Sequence, residues 1–412
     1  MNVGSIIKYY RSKNNLTQSQ LADGICSISH LSKIESNAYL PHESTIKALL
    51  LKMGVQLNKE LEKHKRLEKL LGRFVDCSLH YDLETMRNLY QQLEVENDYI
   101  QSTGLVNQYE LYKFRFYIYD NDRVKAERQK KLLERMKASF LAAELWVHQF
   151  FQSLYFSMLG DNSRSLEFLN NLDSGIQSIP QKFEGEFYYQ KARMLVLADR
   201  YELSAHYAEL AVRSFQLHHN YIRLLHAQML LAINYTRRNL LVQAESIYEV
   251  LIRNTHLTKQ LELHNQTLYN YTELLKTKGE HGEALEILHA LKDKITPDSY
   301  FYKAVLLSLL EAMVETGQNA ALLIEELKAI SNPLEDKYFH IYANYFDKRN
   351  FSQPDLLTYS EEKMFPFFRK HGYIKETKTI AAELAAYYQK QEDWEKAYFY
   401  QSYREENGGE LK

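Results

Sequence analysis

Proline and glycine are scarce, with 6 and 14 in 412 residues. Sandwiches and barrels need turns roughly every 8–12 residues, so this composition disfavours them. The only two cysteines, Cys26 and Cys77, lie far apart and match neither a metal-binding spacing nor a disulfide framework. No stretch approaches the roughly 18 apolar residues of a membrane span. The start, Met1-Asn2-Val3-Gly4-Ser5, has no basic segment leading into an apolar run. Neither a signal peptide nor a membrane span is expected, and the cytoplasm is the natural location. Also missing are a nucleophile with its base, a metal cluster and a phosphate-cradling glycine loop, so no enzymatic activity, cofactor or metal is expected. The pairs Glu325-Glu326 and Glu361-Glu362 read as solvated helix faces.

What is present points to helices. The chain carries 32 Tyr and 19 Phe, residues that helical arrays use as amphipathic packing pieces. Its length calls for two or more units. The net charge of −2 hides an asymmetry, because residues 1–71 hold 11 Lys/Arg against 6 Asp/Glu while the remainder holds 40 against 47. A basic head on an acidic body fits a phosphate-binding module on a scaffold with another task.

The head reads as four short helices. Ile6, Ile7 and Tyr10 recur at helical spacing in the first. Thr17 with Gln20 three residues on forms a capping-box pattern for the second, whose Leu21 and Ala22 pack inward. Ser27 or Ser29 can cap the third, with Leu31 and Ile34 as its buried stripe. Pro41 and Glu43 suit the start of a fourth, which carries Ile46, Leu49, Leu50 and Met53 before Gly54. Two short helices joined tightly, over Leu16–Ala22 and Ser27–Asn37, have the layout of a helix-turn-helix.

The pattern Gly4, Ile7, Arg11, Leu16-Thr17-Gln18, Leu21-Ala22, Ser32-Lys33-Ile34-Glu35, Pro41 and Gly54-Val55 resembles the Xre/Cro class of helix-turn-helix domains over residues 1–58. In that class the third helix enters the major groove of double-stranded operator DNA. The resemblance implies that Gln18 touches the DNA backbone or a base edge. It points Ser29, His30 and Lys33 toward bases, and brings Ser27 and Asn37 to phosphates. It also implies an internal Arg11–Glu35 ion pair. The turn Asp23–Cys26 is one residue shorter than the usual pattern, so the register of base contacts can differ by one position.

Residues 59–75, a mixed-charge run with Leu61, Leu67, Leu70 and Leu71, read as a connecting helix with a solvated face. Beyond it, over 76–412, the chain repeats. Polar turns lead to packed positions at Met86, Ala126, Ser165, Ser204, Ala244, Ala284 and Leu322, separated by 40, 39, 39, 40, 40 and 38 residues. Ala397 marks a last repeat, with room for a weakly marked one near Leu357. Such recurrence means a solenoid, because one hairpin cannot bury its own apolar face. The segment Gly279-Glu280-His281-Gly282-Glu283-Ala284-Leu285 resembles a tetratricopeptide repeat. The period exceeds the usual length of about 34, which leaves HEAT-like repeats as the alternative. The expected fold is all-α: the helix-turn-helix domain followed by a right-handed superhelix of about nine tetratricopeptide-like hairpins.

The concave wall of such an array suits an extended peptide. Inward positions, by analogy with these repeats, include Glu186, Tyr189, Arg193, His226, Met229, Tyr269, Asn270, Glu273 and Lys276, with Asn234 one position off the column. Arg193 can hold a carboxylate, and an asparagine amide can clamp a peptide bond in both directions. Arg193, Asn234, Tyr269, Asn270 and Glu273 are the candidate peptide-binding residues.

Together the two halves resemble the peptide-pheromone regulators grouped as Rgg, Rap, NprR, PrgX and PlcR, with the head (Ala22–Glu35) nearest the NprR and PlcR branch. The resemblance implies a cytoplasmic quorum-sensing transcription regulator. A short imported signalling peptide in the concave groove switches its grip on DNA. It further implies a homodimer or higher homo-oligomer, and asparagines on the inner helices, here Asn234 and Asn270, that hold the peptide backbone. The alternative it leaves is an interaction protein that sequesters a response regulator or other signalling protein, with peptide controlling release.

Overall fold

The computed structural model describes residues 3–173, 179–297, 299–350 and 355–405. No strand occurs among them. The chain divides into two compact units, Met1–Phe187 and Tyr188–Lys412.

The first unit opens with α1 (Val3–Lys13), α2 (Gln18–Ala22), α3 (Ile28–Glu35) and α4 (Glu43–Lys52). Their apolar stripes converge on one small core of Ile6, Ile7, Leu21, Ala22, Leu31, Ile34, Ile46, Leu49, Leu50 and Met53. Local chemistry sets each helix start. The Thr17 hydroxyl accepts the Gln20 amide at 3.2 Å while the Gln20 side chain accepts the Thr17 amide at 2.8 Å. The Ser27 hydroxyl caps α3 by accepting the His30 amide at 3.1 Å. Gly4 is dictated by packing, since a Cβ there would lie 1.8 Å from the carbonyl oxygen of Ile34.

A 23-residue helix, α5 (Leu57–Leu79), contains the expected connector and packs on α6 (Leu83–Val95) as the first hairpin. A short α7 (Asn97–Gln101) follows. Hairpins then succeed one another: α8 (Val106–Tyr119) with α9 (Arg123–Met136), α10 (Ala142–Met158) with α11 (Asn162–Asp173), and α12 (Glu184–Leu197) with α13 (Tyr201–Leu217). Next come α14 (Tyr221–Arg237) with α15 (Leu241–Leu257), α16 (Leu261–Lys278) with α17 (His281–Lys292), and α18 (Tyr300–Glu315) with α19 (Ala321–Ile330). The weakly marked repeat is α20 (Lys337–Asn350) followed by α21 (Leu356–Tyr359), a π turn and α22 (Phe365–Lys370). The last is α23 (Ile374–Lys390) with α24 (Trp394–Glu405).

The repeat has a backbone cause. Tyr81, Asn121, Gly160, Asp199, Asn239, Gly279 and Gly317 all have positive φ. Each sits in the turn inside its hairpin, where a left-handed residue closes the first helix. Five residues after each lies the packed position, and Met86, Ala126, Ser165, Ser204, Ala244 and Ala284 are all fully buried. Leu322 breaks the rule and corrects the sequence reading, because it is 88% exposed. The second helix normally starts two residues after the left-handed residue, as at Leu241 and His281, but after Gly317 it starts only at Ala321. The longer turn moves the buried position to Ile324.

Candidate functional site

In the head, the charged residues nearest α3 are tied up internally. Arg11 donates from Nε to Glu35 at 2.6 Å and from Nη2 at 3.0 Å, while its Nη1 reaches the Leu16 carbonyl at 2.9 Å. The fork is bidentate, and the hydrogen bond to Glu35 pushes the Arg11 pKa up. Gln18 joins this network, its amide nitrogen donating to Glu35 at 2.8 Å. It is half-buried and braced at the start of α2, with its carbonyl and one N–H left over. Asn37 is engaged too: its Oδ1 accepts the Gly4 amide at 3.1 Å and its Nδ2 donates to the Ser5 hydroxyl at 3.0 Å. It joins the end of α3 to the start of α1, a structural post that a phosphate contact would have to share.

The outer side of α3 is free. Leu31, Ile34 and Glu35 face inward, which leaves Ile28, Ser29, Ser32, Lys33 and Ser36 exposed along the opposite side. Ser27, Ser29 and Lys33 are exposed there, the Ser27 hydroxyl serving as the cap. His30 is half-buried, edge-on to Tyr39 at 4.8 Å. The sequence reading did not single out Ile28 and Ser32, although their spacing of four from each other and from Ser36 marks one helix face. Cys26 and Cys77 are free thiols, and burial raises both pKa values, which leaves them poor nucleophiles.

The head is braced on the first hairpin by one carboxylate. Glu60 in the first turn of α5 is 2% exposed. It accepts the Tyr10 hydroxyl from α1 at 2.8 Å and, with its other oxygen, the Tyr99 hydroxyl from α7. Tyr9 meets Tyr99 edge-on at 5.7 Å, and the Lys63 ammonium lies 4.2 Å over the Tyr99 ring.

In the second unit α14 touches α16 and α18 touches α20, and Lys276 on α16 reaches Ser308 and Glu311 on α18 at 2.9 and 3.0 Å, which lines these first helices up as a wall. Tyr269, Asn270 and Glu273 share that wall on α16. Tyr269 packs edge-on against Phe301 at 5.6 Å, and burial followed by the Glu273 charge raises its pKa far above the ordinary tyrosine value. Asn270 donates to the Gln266 carbonyl at 2.8 Å and leans on the Met229 sulfur at 3.5 Å. Glu273 pairs with Lys276 at 2.5 Å, accepts the Ser308 hydroxyl at 3.2 Å and faces Arg237 at 3.8 Å. Burial alone would raise its carboxyl pKa, but Lys276, Lys375 and Arg237 hold it well below the usual range. Lys276 also bonds Glu311 at 3.0 Å. These two carboxylates overcome desolvation and raise its own pKa. Glu376 on α23 accepts the Tyr338 hydroxyl at 3.0 Å. The result is a strip of alternating charge edged by tyrosines.

Two further residues on that side close a long loop of chain. Lys378 in the second turn of α23 pairs with Asp199, 179 residues earlier, at the turn between α12 and α13. Tyr201 hydrogen-bonds the same carboxylate.

Two expected wall residues are placed elsewhere. Asn234 is 0% exposed; its Nδ2 donates to the Leu230 carbonyl at 2.8 Å and its buried Oδ1 has no partner. One position off the inward column on α14 is enough to turn it into the packed interface. Glu186 is fully buried in the first unit, where it holds Arg115 at 2.6 Å. Arg193 is half-buried on α12. Glu361, read as a solvated face, instead accepts Tyr388, Lys396 and Tyr400 between α21 and the last hairpin. Among the described residues no helix is long and apolar enough to cross a membrane, and no three His, Cys, Asp or Glu side chains converge to hold a metal.

The comparisons with known proteins agree with this layout. Residues 7–59 match the helix-turn-helix family HTH_3. The transcriptional activator NprA of Geobacillus stearothermophilus is 21% identical over 392 residues, 92% of this chain and 96% of that protein. Two solved structures share the fold. The apo form of the quorum sensor NprR from B. thuringiensis matches with a TM-score of 0.65 and 17% identity, covering 82% of this chain and 97% of that one. A Rap protein complexed with competence and sporulation factor matches with a TM-score of 0.71 and 13% identity over the same shares. With its helix-turn-helix head, its tetratricopeptide-like body and an alignment to a transcriptional activator along nearly its whole length, the chain is similar to the Rgg, Rap, NprR, PrgX and PlcR class of regulators.

Proposed function

We propose that this protein is a cytoplasmic transcription regulator that grips double-stranded operator DNA with α3 and is switched by a short signalling peptide held along the inner wall of its second unit. The observation that carries the reading is the division of labour in the head. The Arg11 and Glu35 charges are spent on each other, while Ser29, Ser32 and Lys33 are exposed on one face of a helix that Ser27 caps. Short hydroxyls and a lysine suit phosphate oxygens and base edges. Gln18, His30 and Asn37 flank that face and complete the candidate DNA contacts.

For the peptide, Arg193, Tyr269, Asn270 and Glu273 are the candidate contacts, joined by Arg237, Lys276 and Glu376 from the same strip. Alternating charge with tyrosine edges can meet both the backbone and the charged ends of an oligopeptide. Asn234 can join only if α14 shifts enough to expose it. A homodimer would set two heads on half-sites about 34 Å apart. Peptide then acts through its difference in affinity for two arrangements of those heads.

The test is DNA selection from a random duplex pool with the full chain, followed by affinity measurements at several salt concentrations. A selected sequence whose affinity falls steeply with salt is expected. Failure to select any sequence would sink the reading.

A further inference from the structure

One feature of α3 serves neither the fold nor phosphate binding. Ile28 is the first residue of the helix, directly after the Ser27 cap, and is 51% exposed. It belongs neither to the head core nor to the half-buried residues packed around it. Helix formation does not favour it either, because a β-branched side chain is a modest helix former and the first turn prefers polar or acidic groups. The neighbours on the same face, Ser29, Ser32 and Lys33, are all polar and exposed.

We propose that Ile28 reads the 5-methyl group of a thymine, so that the operator half-site carries a thymine under the start of α3. The inference rests on the DNA-binding reading above. In helix-turn-helix docking it is the N-terminal part of the recognition helix that reaches base edges. Thymine is the one base that offers an apolar group in the major groove. The Ser27 hydroxyl, occupied by the His30 amide, holds the helix start in place and fixes where the isoleucine points. Methyl against methyl removes apolar surface from water on both partners. Loss of one methyl from such a contact costs about fourfold in affinity.

The experiment uses the full chain and the duplex it selects from a random pool. Each thymine of a half-site is replaced in turn by uracil, which keeps the base pair and removes only the methyl. Wild type should lose about fourfold at one thymine position. Ile28→Ala should bind the thymine duplex as weakly as wild type binds that uracil duplex, and should lose nothing more on the replacement. Ile28→Val should retain most of the sensitivity. Because the side chain is exposed, Ile28→Ala should leave the unfolding midpoint unchanged. Equal uracil losses in wild type and Ile28→Ala, or a selected site insensitive to every thymine methyl, would overturn the assignment while leaving DNA binding intact. An Ile28→Ala effect on self-association but not on thymine would make the residue a contact between copies and overturn it too. If no duplex is selected, the DNA reading itself fails and takes this inference with it.

Discussion

Replacing Glu60 should loosen the head from the first hairpin. Glu60 is nearly inaccessible and receives two tyrosine hydroxyls, Tyr10 from the head and Tyr99 from the body. A hydrogen bond to a charged acceptor contributes about 1.5–3 kcal/mol net. Truncation to alanine removes both. The half-buried Tyr10 can regain water, whereas Tyr99 is 1% exposed and keeps an unsatisfied hydroxyl. The net loss should be about 3 kcal/mol in Glu60→Ala. In Glu60→Gln it should be about 1 kcal/mol, since shape and one neutral acceptor persist. Native-state hydrogen exchange reads this directly. Amides of α1 and α4 should exchange about a hundredfold faster in Glu60→Ala if the head opens on its own, with amides of the second unit unchanged. Head amides as protected as in wild type would refute the reasoning, because the brace would then contribute nothing to how the head is held.

Three other outcomes follow from the packing. Gly4→Ala should destabilise the head by about 2–4 kcal/mol, since its Cβ would meet the Ile34 oxygen at 1.8 Å. An unchanged or raised melting temperature, the usual result of Gly→Ala inside a helix, would contradict that close approach. Reversing one charge of the Asp199–Lys378 pair should raise exchange at the start of α23, and the double swap of Asp199→Lys with Lys378→Asp should restore protection; the coupling should be about 1 kcal/mol for a partly exposed pair. His226 on α14 is held neutral, its pKa pushed down to about 4 by burial, which outweighs the hydrogen bond to the Ile222 carbonyl. The unfolded chain binds a proton near pH 6.5 and the folded one does not, so stability should fall by about 2 kcal/mol as pH drops from 6.5 toward 4. His226→Gln should flatten that slope in urea unfolding.

The head was legible because its determinants are local. The capping box at Thr17 and Gln20, the cap at Ser27 and the apolar stripes of α1, α3 and α4 all act within one or two turns. The repeat was legible for a similar reason, since one left-handed residue per hairpin sets the spacing of the packed positions. Leu322 was misplaced because its turn is two residues longer, a backbone detail that the residue pattern does not carry. The wall was read less well. Asn234 lies one position from the inward column, and a single position rotates a helical side chain by about 100°. Glu186, Glu60 and Lys378 find their partners 71, 39 to 50 and 179 residues away. No local pattern announces such pairings, so Glu60 looked like part of a solvated helix and Glu186 like a wall residue. Ile28 was visible only once the core of the head was known not to need it.

The coupling to test is that of peptide bound along the second unit to the grip of the head on DNA. Its most direct measurement is the affinity of the full chain for its selected duplex, with and without short synthetic peptides that bind the chain, repeated with Glu273→Gln. Coupling of this kind is typically about 5–150-fold. A binding peptide should therefore shift the DNA affinity by at least about fivefold, in either direction, and Glu273→Gln should diminish the shift without altering peptide-free DNA binding. A peptide that binds the second unit and leaves the DNA affinity unchanged would contradict the account.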